Sequence, residues 1–133
     1  MALRAKWTLR LEGVETNLAL GVPGRPRPAP AAVQVSLVIN GLTPDVPIDL
    51  ADCLDHEAIC NWIVHQWPKS APTALLETRV NELLVFLFDL DKRVQDAWVS
   101  LHRTGQLGGA MRVCLERQVS RSQFQSRSRM ARS

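Results

Sequence analysis

The chain has 133 residues, of which 46% are apolar and 22% are charged, a mixture typical of one ordinary globular domain. This composition argues against general disorder, and no apolar stretch approaches the roughly 20 residues that a membrane-spanning helix needs. Tyrosine is absent, and only three of the 16 basic residues are lysine (Lys6, Lys69 and Lys92). A mechanism that requires a tyrosine is therefore excluded, and one that requires a lysine has three candidates.

The net charge of +3 at pH 7 comes from the C-terminal segment. Residues 118–133 contain four arginines and no acid, so subtracting +4 from +3 leaves −1 for residues 1–117. We interpret 1–117 as the folded domain and 118–133 as an Arg/Ser-rich disordered tail, because so polar a segment cannot bury much surface. A solvated terminus is the simpler interpretation, and weak, salt-sensitive contact with a polyanion is the alternative. We expect no nucleic-acid partner and no membrane partner.

The cysteine content and the N-terminal sequence indicate the compartment. Three cysteines (Cys53, Cys60 and Cys114) are too few for a disulfide scaffold. The first ten residues lack the uninterrupted apolar core of a signal peptide. We therefore expect a reducing, cytoplasmic setting.

Alternation of apolar and polar residues predicts two strands in the first third of the chain. The first begins at Trp7 and continues to Leu20, and the second covers residues 33–39 and ends at Asn40-Gly41. Residues 21–30 between them contain four prolines and two glycines. Proline fixes φ and removes backbone donors, so this segment is predicted to be a stiff loop.

Two helices are predicted in the middle of the chain. Apolar residues recur at helical spacing after Asp55, a suitable N-cap, and Pro68 ends that helix. A broad apolar stripe from Leu75 to Phe88 predicts the second helix. Alternation then returns over residues 97–102 and 111–116, on either side of a glycine-rich turn.

The element order β-β-α-α-β-β predicts an α+β fold. Two amphipathic helices can cover one face of a four-stranded antiparallel sheet. The other face is only partly polar because it carries Val38, Trp98 and Cys114. That composition suggests burial of this face against other subunits.

This order, together with several local strings, resembles the dihydroneopterin aldolase family of the tunnelling fold, to which dihydroneopterin triphosphate epimerases are related. The resemblance extends over residues 7–117. It is carried by Leu11-Glu-Gly-Val14 with Leu20-Gly-Val22, Asp49-Leu-Ala-Asp-Cys-Leu-Asp-His56, Ala74-Leu-Leu-Glu77 with Glu82-Leu-Leu84, and Val99-Ser-Leu-His-Arg-Thr-Gly105 with Val113-Cys-Leu-Glu-Arg117.

The resemblance implies a subunit that assembles into a ring, a tetramer or a stacked octamer, with the sheets joined in a barrel around a central tunnel. Pterin sites in the family lie between neighbouring subunits. The implied reaction belongs to folate biosynthesis: retro-aldol cleavage of 7,8-dihydroneopterin to 6-hydroxymethyl-dihydropterin and glycolaldehyde. It requires no cofactor, no metal and no Schiff base.

Glu77 occupies the position at which the family holds the pterin ring. Adjacent N–H donors on the pyrimidine side of a pterin form a fork that a carboxylate can accept in two parallel bonds. Leu75 and Leu76 would supply core contacts or a wall of the pocket. A carboxylate in the first turn of a helix is also favoured by the macrodipole without any ligand.

The catalytic positions depart from the family pattern. Arg103 stands where a lysine is expected and His56 where the family has a tyrosine, so these two are the candidate catalytic residues. A guanidinium stays protonated but can stabilise negative charge, and histidine can transfer protons near neutral pH. His56 can equally be a helix-end residue without a catalytic task.

The first loop also departs from the family. The family's acidic residue is missing there, and Arg25 and Arg27 appear instead. With Arg103 they could surround a phosphate, or they could be solvated loop arginines. Three functions therefore remain open: the aldolase reaction, pterin binding without catalysis, and an aldolase or epimerase reaction on a phosphorylated dihydropterin.

A zinc site is the remaining possibility that the sequence offers. Cys53, His56 and Cys60 are spaced as ligands on one helix would be. However, Cys53 is predicted to precede the helix, and small buried cysteines behave as hydrophobic residues. We therefore expect no metal.

Overall fold

The computed structural model describes residues 3–21, 30–103 and 112–132. Four strands and three helices form its framework. They are β1 (Arg4–Ala19), β2 (Pro30–Pro44), α1 (His56–Asn61), α2 (Leu76–Leu90), β3 (Val94–Arg103), β4 (Val113–Ser120) and α3 (Arg121–Arg132). Within these ranges, no helix is long and apolar enough to cross a membrane.

The four strands form one antiparallel sheet in the order β1-β2-β3-β4. The predicted α+β class and the β-β-α-α-β-β order are thereby confirmed, with α3 added at the C-terminal end. β1 carries a bulge between Leu11 and Val14, where Gly13 has φ +65°. Glycine adopts this left-handed conformation without the steric cost of a Cβ.

One face of the sheet lies under α1 and α2 and forms the core. Alternate residues of β2 and β3 point into it and are buried, as the period of two requires. The helices contribute the apolar stripe predicted from the sequence. The central members are Val33, Val35, Leu37, Ile39, Ala97, Val99, Leu101, Ile59, Ile63, Val80, Leu83, Leu84, Leu87 and Phe88.

The first helical segment begins as predicted and changes its geometry further along. Asp55 is the N-cap, and its carboxylate accepts a 3.0 Å hydrogen bond from the Ala58 N–H. The chain continues from α1 through a π-helical turn (Trp62–Gln66) and a 3-10 turn (Trp67–Lys69). Thr16 of β1 donates a 2.7 Å hydrogen bond to the Ile63 carbonyl, which fastens the wide turn to the sheet.

β2 extends past the Asn40-Gly41 pair, where the sequence predicted its end. Gly41 pairs with both Trp7 and Val94, and the strand continues to Pro44. The Asn40 side chain donates a 2.6 Å hydrogen bond to Asp96 and also contacts Thr8. These neighbours on both sides hold extended backbone at a dipeptide that favours turns in isolation.

The C-terminal segment differs from the predicted disordered tail. β4 continues beyond residue 117 to Ser120, and α3 follows directly. A capping box starts the helix: the Ser120 N–H donates to Gln123 Oε1 (2.9 Å) and the Gln123 N–H donates to Ser120 Oγ (3.2 Å).

Two side chains explain why this polar helix packs on the domain. The Arg121 guanidinium donates to the carbonyls of Val94 (2.7 Å), Asp91 (2.8 Å) and Phe88 (3.1 Å). The Phe124 ring stacks on Phe88 with centroids 4.8 Å apart. Arg121 therefore satisfies carbonyls at the C-terminus of α2 that lack intrahelical partners.

Candidate functional site

The candidate site residues lie at two opposite ends of the sheet. The first end, called here the Arg103 end, is where Ala19 faces Pro30 and Arg103 faces Val113. The second, the Gly41 end, is where Gly41 pairs with Val94. Along β2 the two ends are separated by eight residues from Val33 to Gly41, or about 26 Å of strand.

Glu77 lies at the Arg103 end, in the first turn of α2. The preceding loop is joined to β1 by a bridge between Leu20 and Thr73 and by a 3.0 Å hydrogen bond from the Gly21 N–H to the Thr73 carbonyl. The Glu77 side chain is exposed, and none of the three ion pairs among the described residues involves it. Its carboxylate is therefore accessible to a ligand.

A cleft of about 90 Å³ opens beside Glu77, between α2 and β4. Val80, Asn81 and Leu115 line it together with Arg117, whose guanidinium donates a 3.3 Å hydrogen bond to Asn81 Oδ1. The sequence interpretation missed Asn81 and Arg117. The spacing of Glu77 and Asn81, four residues apart on one helix face, was the available signal.

Leu75 and Leu76, the predicted pocket-wall residues, directly precede Glu77 and lie in different environments. Leu75 is the N-cap of α2, offers no side-chain cap, and is 58% exposed. Leu76 is partly buried against the core. Leu75 can contact a ligand beside Glu77, while Leu76 contributes mainly to packing.

A buried arginine that the sequence did not single out holds this end together. The Arg79 guanidinium donates to the carbonyls of Ala19 (2.8 Å) and Ala71 (3.0 Å), to Ser70 Oγ (2.6 Å) and to Glu82 Oε1 (2.8 Å), and the side chain is fully buried. It thus joins the end of β1, the loop before α2 and α2 itself. Those are the segments that position Glu77.

Arg103 is the last residue of β3 and lies on the same face of the sheet as the helices. Arg103 pairs with Val113, and Leu115, two residues further along β4, lines the Glu77 cleft. Arg103 therefore lies close to that cleft. Its Nε is buried and has no hydrogen-bond partner among the described residues. The structure therefore brings Arg103 and Glu77 to one end of the subunit.

His56 lies at the other end. It is the first residue of α1 and is exposed. Two residues earlier, Leu54 packs so closely on Gly41 that a Cβ there would lie 3.1 Å from a Leu54 methyl carbon. A cavity of about 160 Å³ adjoins this segment, lined by Trp7, Thr43, Cys53 and other residues. One subunit therefore does not bring His56 to the same ligand as Glu77.

An ion pair fixes the backbone before α1 at the Gly41 end. Arg93 donates to Asp91 Oδ2 at 2.8 Å and to the Cys53 carbonyl at 3.3 Å. The Arg93 guanidinium, more than any other group, lowers the pKa of the Asp91 carboxyl below its ordinary value. Asp91 is therefore ionised throughout the physiological range, and the pair holds the start of α1 against β3.

Cys53 and Cys60, the other candidates that the structure describes, do not line the Glu77 cleft. Arg25 and Arg27, the predicted phosphate ligands, lie outside the described residues. Cys53 precedes α1, as expected, and both Cys53 and Cys60 are free thiols. Among residues 3–21, 30–103 and 112–132, no group of three His, Cys, Asp or Glu side chains is placed to hold a metal ion.

No protein-family model and no curated protein matches the chain. Solved structures do. A Vibrio cholerae protein assigned as a dihydroneopterin aldolase (FolB) superposes with a TM-score of 0.71 at 16% identity, covering 88% of this chain and 99% of the other. The chain has the dihydroneopterin aldolase fold.

Two further structures with this fold were solved with ligands. The Escherichia coli dihydroneopterin aldolase in complex with neopterin has a TM-score of 0.68 at 16% identity, covering 85% of this chain and 98% of the other. A Burkholderia dihydroneopterin aldolase bound to guanine has a TM-score of 0.67 at 15% identity, covering 87% of this chain and 92% of the other. The superposition with this chain thus covers nearly the whole length of each neighbour.

Proposed function

We propose that this protein binds the pyrimidine edge of a pterin at Glu77 and acts as a dihydroneopterin aldolase in folate biosynthesis. The observation that carries the proposal is the exposed Glu77 carboxylate, set in a cleft on the fold of proteins solved with neopterin and guanine. Both of those ligands carry a 2-amino-4-oxopyrimidine edge with adjacent N–H donors. A carboxylate accepts such a pair in two charge-assisted hydrogen bonds.

The proposed reaction breaks the C1′–C2′ bond of 7,8-dihydroneopterin. A base takes the proton of the 2′-hydroxyl, the bonding electrons move toward the ring, and C1′ gains a proton as glycolaldehyde leaves. His56 can accept and return that proton, since an imidazole has one nitrogen that accepts and one that donates a proton. The Arg103 guanidinium would stabilise the negative charge that develops on the ring.

The positions of these residues require a second copy of the chain. Glu77 and Arg103 lie at one end of the sheet and His56 at the other, about 26 Å of strand away. β1 and β4 are the two outer strands of the sheet, so a ring would join β1 of one subunit to β4 of the next, staggered along the strands so that His56 of one subunit meets Glu77 of its neighbour. The proposed assembly is such a ring, with each site shared by two subunits.

Turnover of 7,8-dihydroneopterin tests the proposal. We expect release of glycolaldehyde by the purified protein, and loss of both turnover and neopterin binding in Glu77→Gln. Replacing one carboxylate oxygen by an amide places a donor against a ligand donor, so affinity should fall by about one to two orders of magnitude.

Glu15→Gln is the matched control. Glu15 is also an exposed glutamate, and it alternates with the core-facing Val14 and Thr16, so it points to the face of the sheet away from α2. Its substitution removes the same charge and should leave binding unchanged. Equal effects of the two substitutions, or no effect of either, would contradict the role of Glu77.

Pterin binding without catalysis is the second candidate, and the arginine at position 103 favours it. A guanidinium cannot exchange protons with substrate near neutral pH as a lysine with a lowered pKa can. This candidate predicts neopterin binding that is sensitive to Glu77→Gln, with no glycolaldehyde release. The same assay run on the phosphorylated substrate tests the third possibility, in which phosphate on the side chain is required for turnover.

A further inference from the structure

The Glu77 cleft holds a positive group as well as a negative one. Glu77 lines it from α2 and Arg117 from β4. Arg117 shares a face of β4 with Leu115 and Val119, which pack on the core, so its side chain lies on the side of α2. Glu116 also lines the cleft, and the same alternation directs its side chain to the other face of the sheet. The charged side chains of the cleft are therefore one carboxylate and one guanidinium.

These two charged groups do not pair with each other. None of the three ion pairs found within residues 3–21, 30–103 and 112–132 joins Glu77 to Arg117. The Arg117 guanidinium instead donates a 3.3 Å hydrogen bond to Oδ1 of the neutral Asn81, one helical turn from Glu77. A guanidinium carries five N–H donors, so this bond leaves others for a ligand. The cleft thus offers an anionic acceptor on one wall and a cationic donor on the other.

We infer that Arg117 donates to the 4-oxo group of a pterin whose 2-amino and N3–H groups bind Glu77. This inference rests on the binding proposed at Glu77. The three groups follow one another along the edge of a 2-amino-4-oxopyrimidine, so a carboxylate that accepts both donors leaves the oxo oxygen as the next group on that edge. An acceptor that loses its water on binding needs a new donor, because an unpaired acceptor costs free energy.

The charge of Arg117 suits this position. The oxo oxygen carries partial negative charge and would lie near the Glu77 carboxylate, and a guanidinium beside it offsets that repulsion. A site that donates a hydrogen bond to the oxygen discriminates against a ring with a weaker acceptor there, because its own donor is then left unpaired. Arg117 is therefore a specificity-determining residue of the proposed site, and Asn81 is the residue that holds it.

The size of the cleft agrees with recognition of one edge of the ring. Its volume of about 90 Å³ is below the roughly 300–1,000 Å³ of pockets that enclose a whole ligand. Glu77 and Arg117 are thus the groups that meet the pyrimidine edge, while the rest of the ligand extends beyond the cleft.

Three purine bases separate the contacts of the two residues. Guanine carries the complete edge, 6-thioguanine replaces the oxo oxygen by sulfur, a weak acceptor, and hypoxanthine lacks the 2-amino group. Calorimetry near neutral pH measures the Kd of each base with the full-length protein. We expect the unaltered protein to bind guanine about tenfold more tightly than either analogue, the effect of one charge-assisted hydrogen bond.

Two variants should lose different preferences. Arg117→Met keeps much of the side-chain length without a donor, so it should bind guanine and 6-thioguanine equally and still prefer guanine over hypoxanthine. Glu77→Gln should weaken the preference over hypoxanthine and retain the preference over 6-thioguanine. Comparing ligand pairs in each variant isolates a single contact from a general loss of affinity. Arg117→Lys keeps a charged donor and should retain part of the preference for the oxo oxygen.

Arg10→Met is the matched control. Arg10 is exposed on β1 and alternates with Leu9 and Leu11, which pack on the core, so it points to the sheet face away from α2. Its substitution removes the same charge and should leave both preferences unchanged. Melting curves check that the variants are folded, which is expected because Arg10 and Arg117 are both exposed.

The outcomes distinguish failure of this inference from failure of the proposed function. An unchanged preference for guanine over 6-thioguanine in Arg117→Met, with the Glu77→Gln effect present, would overturn the role of Arg117 alone. Equal effects of Arg117→Met and Arg10→Met would also overturn it, since the cause would then be net charge. Failure of the unaltered protein to bind guanine and neopterin would overturn the binding proposed at Glu77, and the inference with it.

Discussion

Arg79 illustrates how a single buried charge organises the neighbourhood of Glu77. Its guanidinium is fully buried and donates to two carbonyls, one hydroxyl and one carboxylate. A buried cation with several partners is costly to remove, because the groups around it lose their donors in a place that water does not reach. Its contribution to the candidate site is indirect, through the positions of β1 and α2.

Replacement of Arg79 should therefore be severe. We expect Arg79→Met to lower the free energy of unfolding by about 3–5 kcal/mol, because methionine fills space but satisfies none of the four acceptors. Urea denaturation followed by circular dichroism measures the change. Arg10→Met is the control, since Arg10 is exposed, and it should alter stability by no more than about 0.5 kcal/mol. Similar values for the two variants would contradict the role assigned to Arg79.

Asp91 gives a prediction about acid stability. Arg93 lowers the pKa of Asp91 in the folded state below the ordinary value of 3.8. A carboxyl with a lowered folded-state pKa stabilises the fold above its unfolded pKa, and this stabilisation is lost as the pH falls through the lowered value. The stability difference between the unaltered protein and Asp91→Asn should be constant above about pH 5 and should shrink below about pH 4.

Denaturation at a series of pH values tests this pH dependence. Asp89→Asn is the nearby control, because Asp89 takes part in none of the three ion pairs among the described residues. A stability difference for Asp91→Asn that stays constant down to pH 2 would show that protonation of Asp91 is not coupled to folding.

At the scale of the elements, the C-terminal helix depends on one arginine for its position. Arg121 donates to the carbonyls of Phe88 and Asp91 at the end of α2 and to that of Val94 at the start of β3, and it lies over the Phe88 ring at 5.1 Å. Arg121→Ala should destabilise the protein by about 1.5–3 kcal/mol, the range for a charged hydrogen bond. Arg127→Ala, on the exposed side of the same helix, should change stability by no more than about 0.5 kcal/mol. Thermal or urea unfolding of the two variants measures the difference, and equal effects would contradict the anchoring role of Arg121.

Local sequence patterns predicted the strands and helices that only need to pack one apolar face against the core. The alternation of β2 and the apolar stripe of α2 depend only on facing a core, so their existence and type follow from periodicity. The missed features depend on particular distant partners. Asn40-Gly41 remains extended because strands lie on both sides of it, and α3 packs on the domain because Arg121 meets carbonyls about 30 residues away in sequence. The capping box at Ser120–Gln123 was a local signal that could have identified the start of α3.

The position of Glu77 at the start of a helix was predictable from the sequence, but the arrangement of the residues around it was not. Glu77 was expected at the start of a helix and is found there, exposed. The separation of His56 from Glu77 and Arg103 could not be read from spacing, since it depends on which end of the sheet each helix begins at. Arg117 reaches the Glu77 cleft from β4, forty residues away in the chain, and nothing near it in the sequence marks that contact.

At the scale of the whole molecule, the proposed activity would depend on pairs of subunits, because the candidate residues are separated within one subunit. If His56 of one subunit serves the Glu77 and Arg103 of its neighbour, then His56→Ala and Glu77→Gln should each abolish turnover when present in every subunit. A hybrid ring contains some junctions at which an intact His56 meets an intact Glu77. Such complementation occurs only when a site draws residues from two chains.

Mixing the two inactive variants in equal amounts, with dissociation and reassembly, should restore about a quarter of the unaltered activity, because one junction in four combines the two intact residues. The control replaces the Glu77→Gln partner by the double variant His56→Ala/Glu77→Gln, which supplies no intact His56 and should restore nothing. Glycolaldehyde release before and after reassembly measures the effect. Full activity of His56→Ala alone would show that His56 has no part in the chemistry, and absence of any recovery in the mixture would show that the site does not combine His56 and Glu77 across a junction.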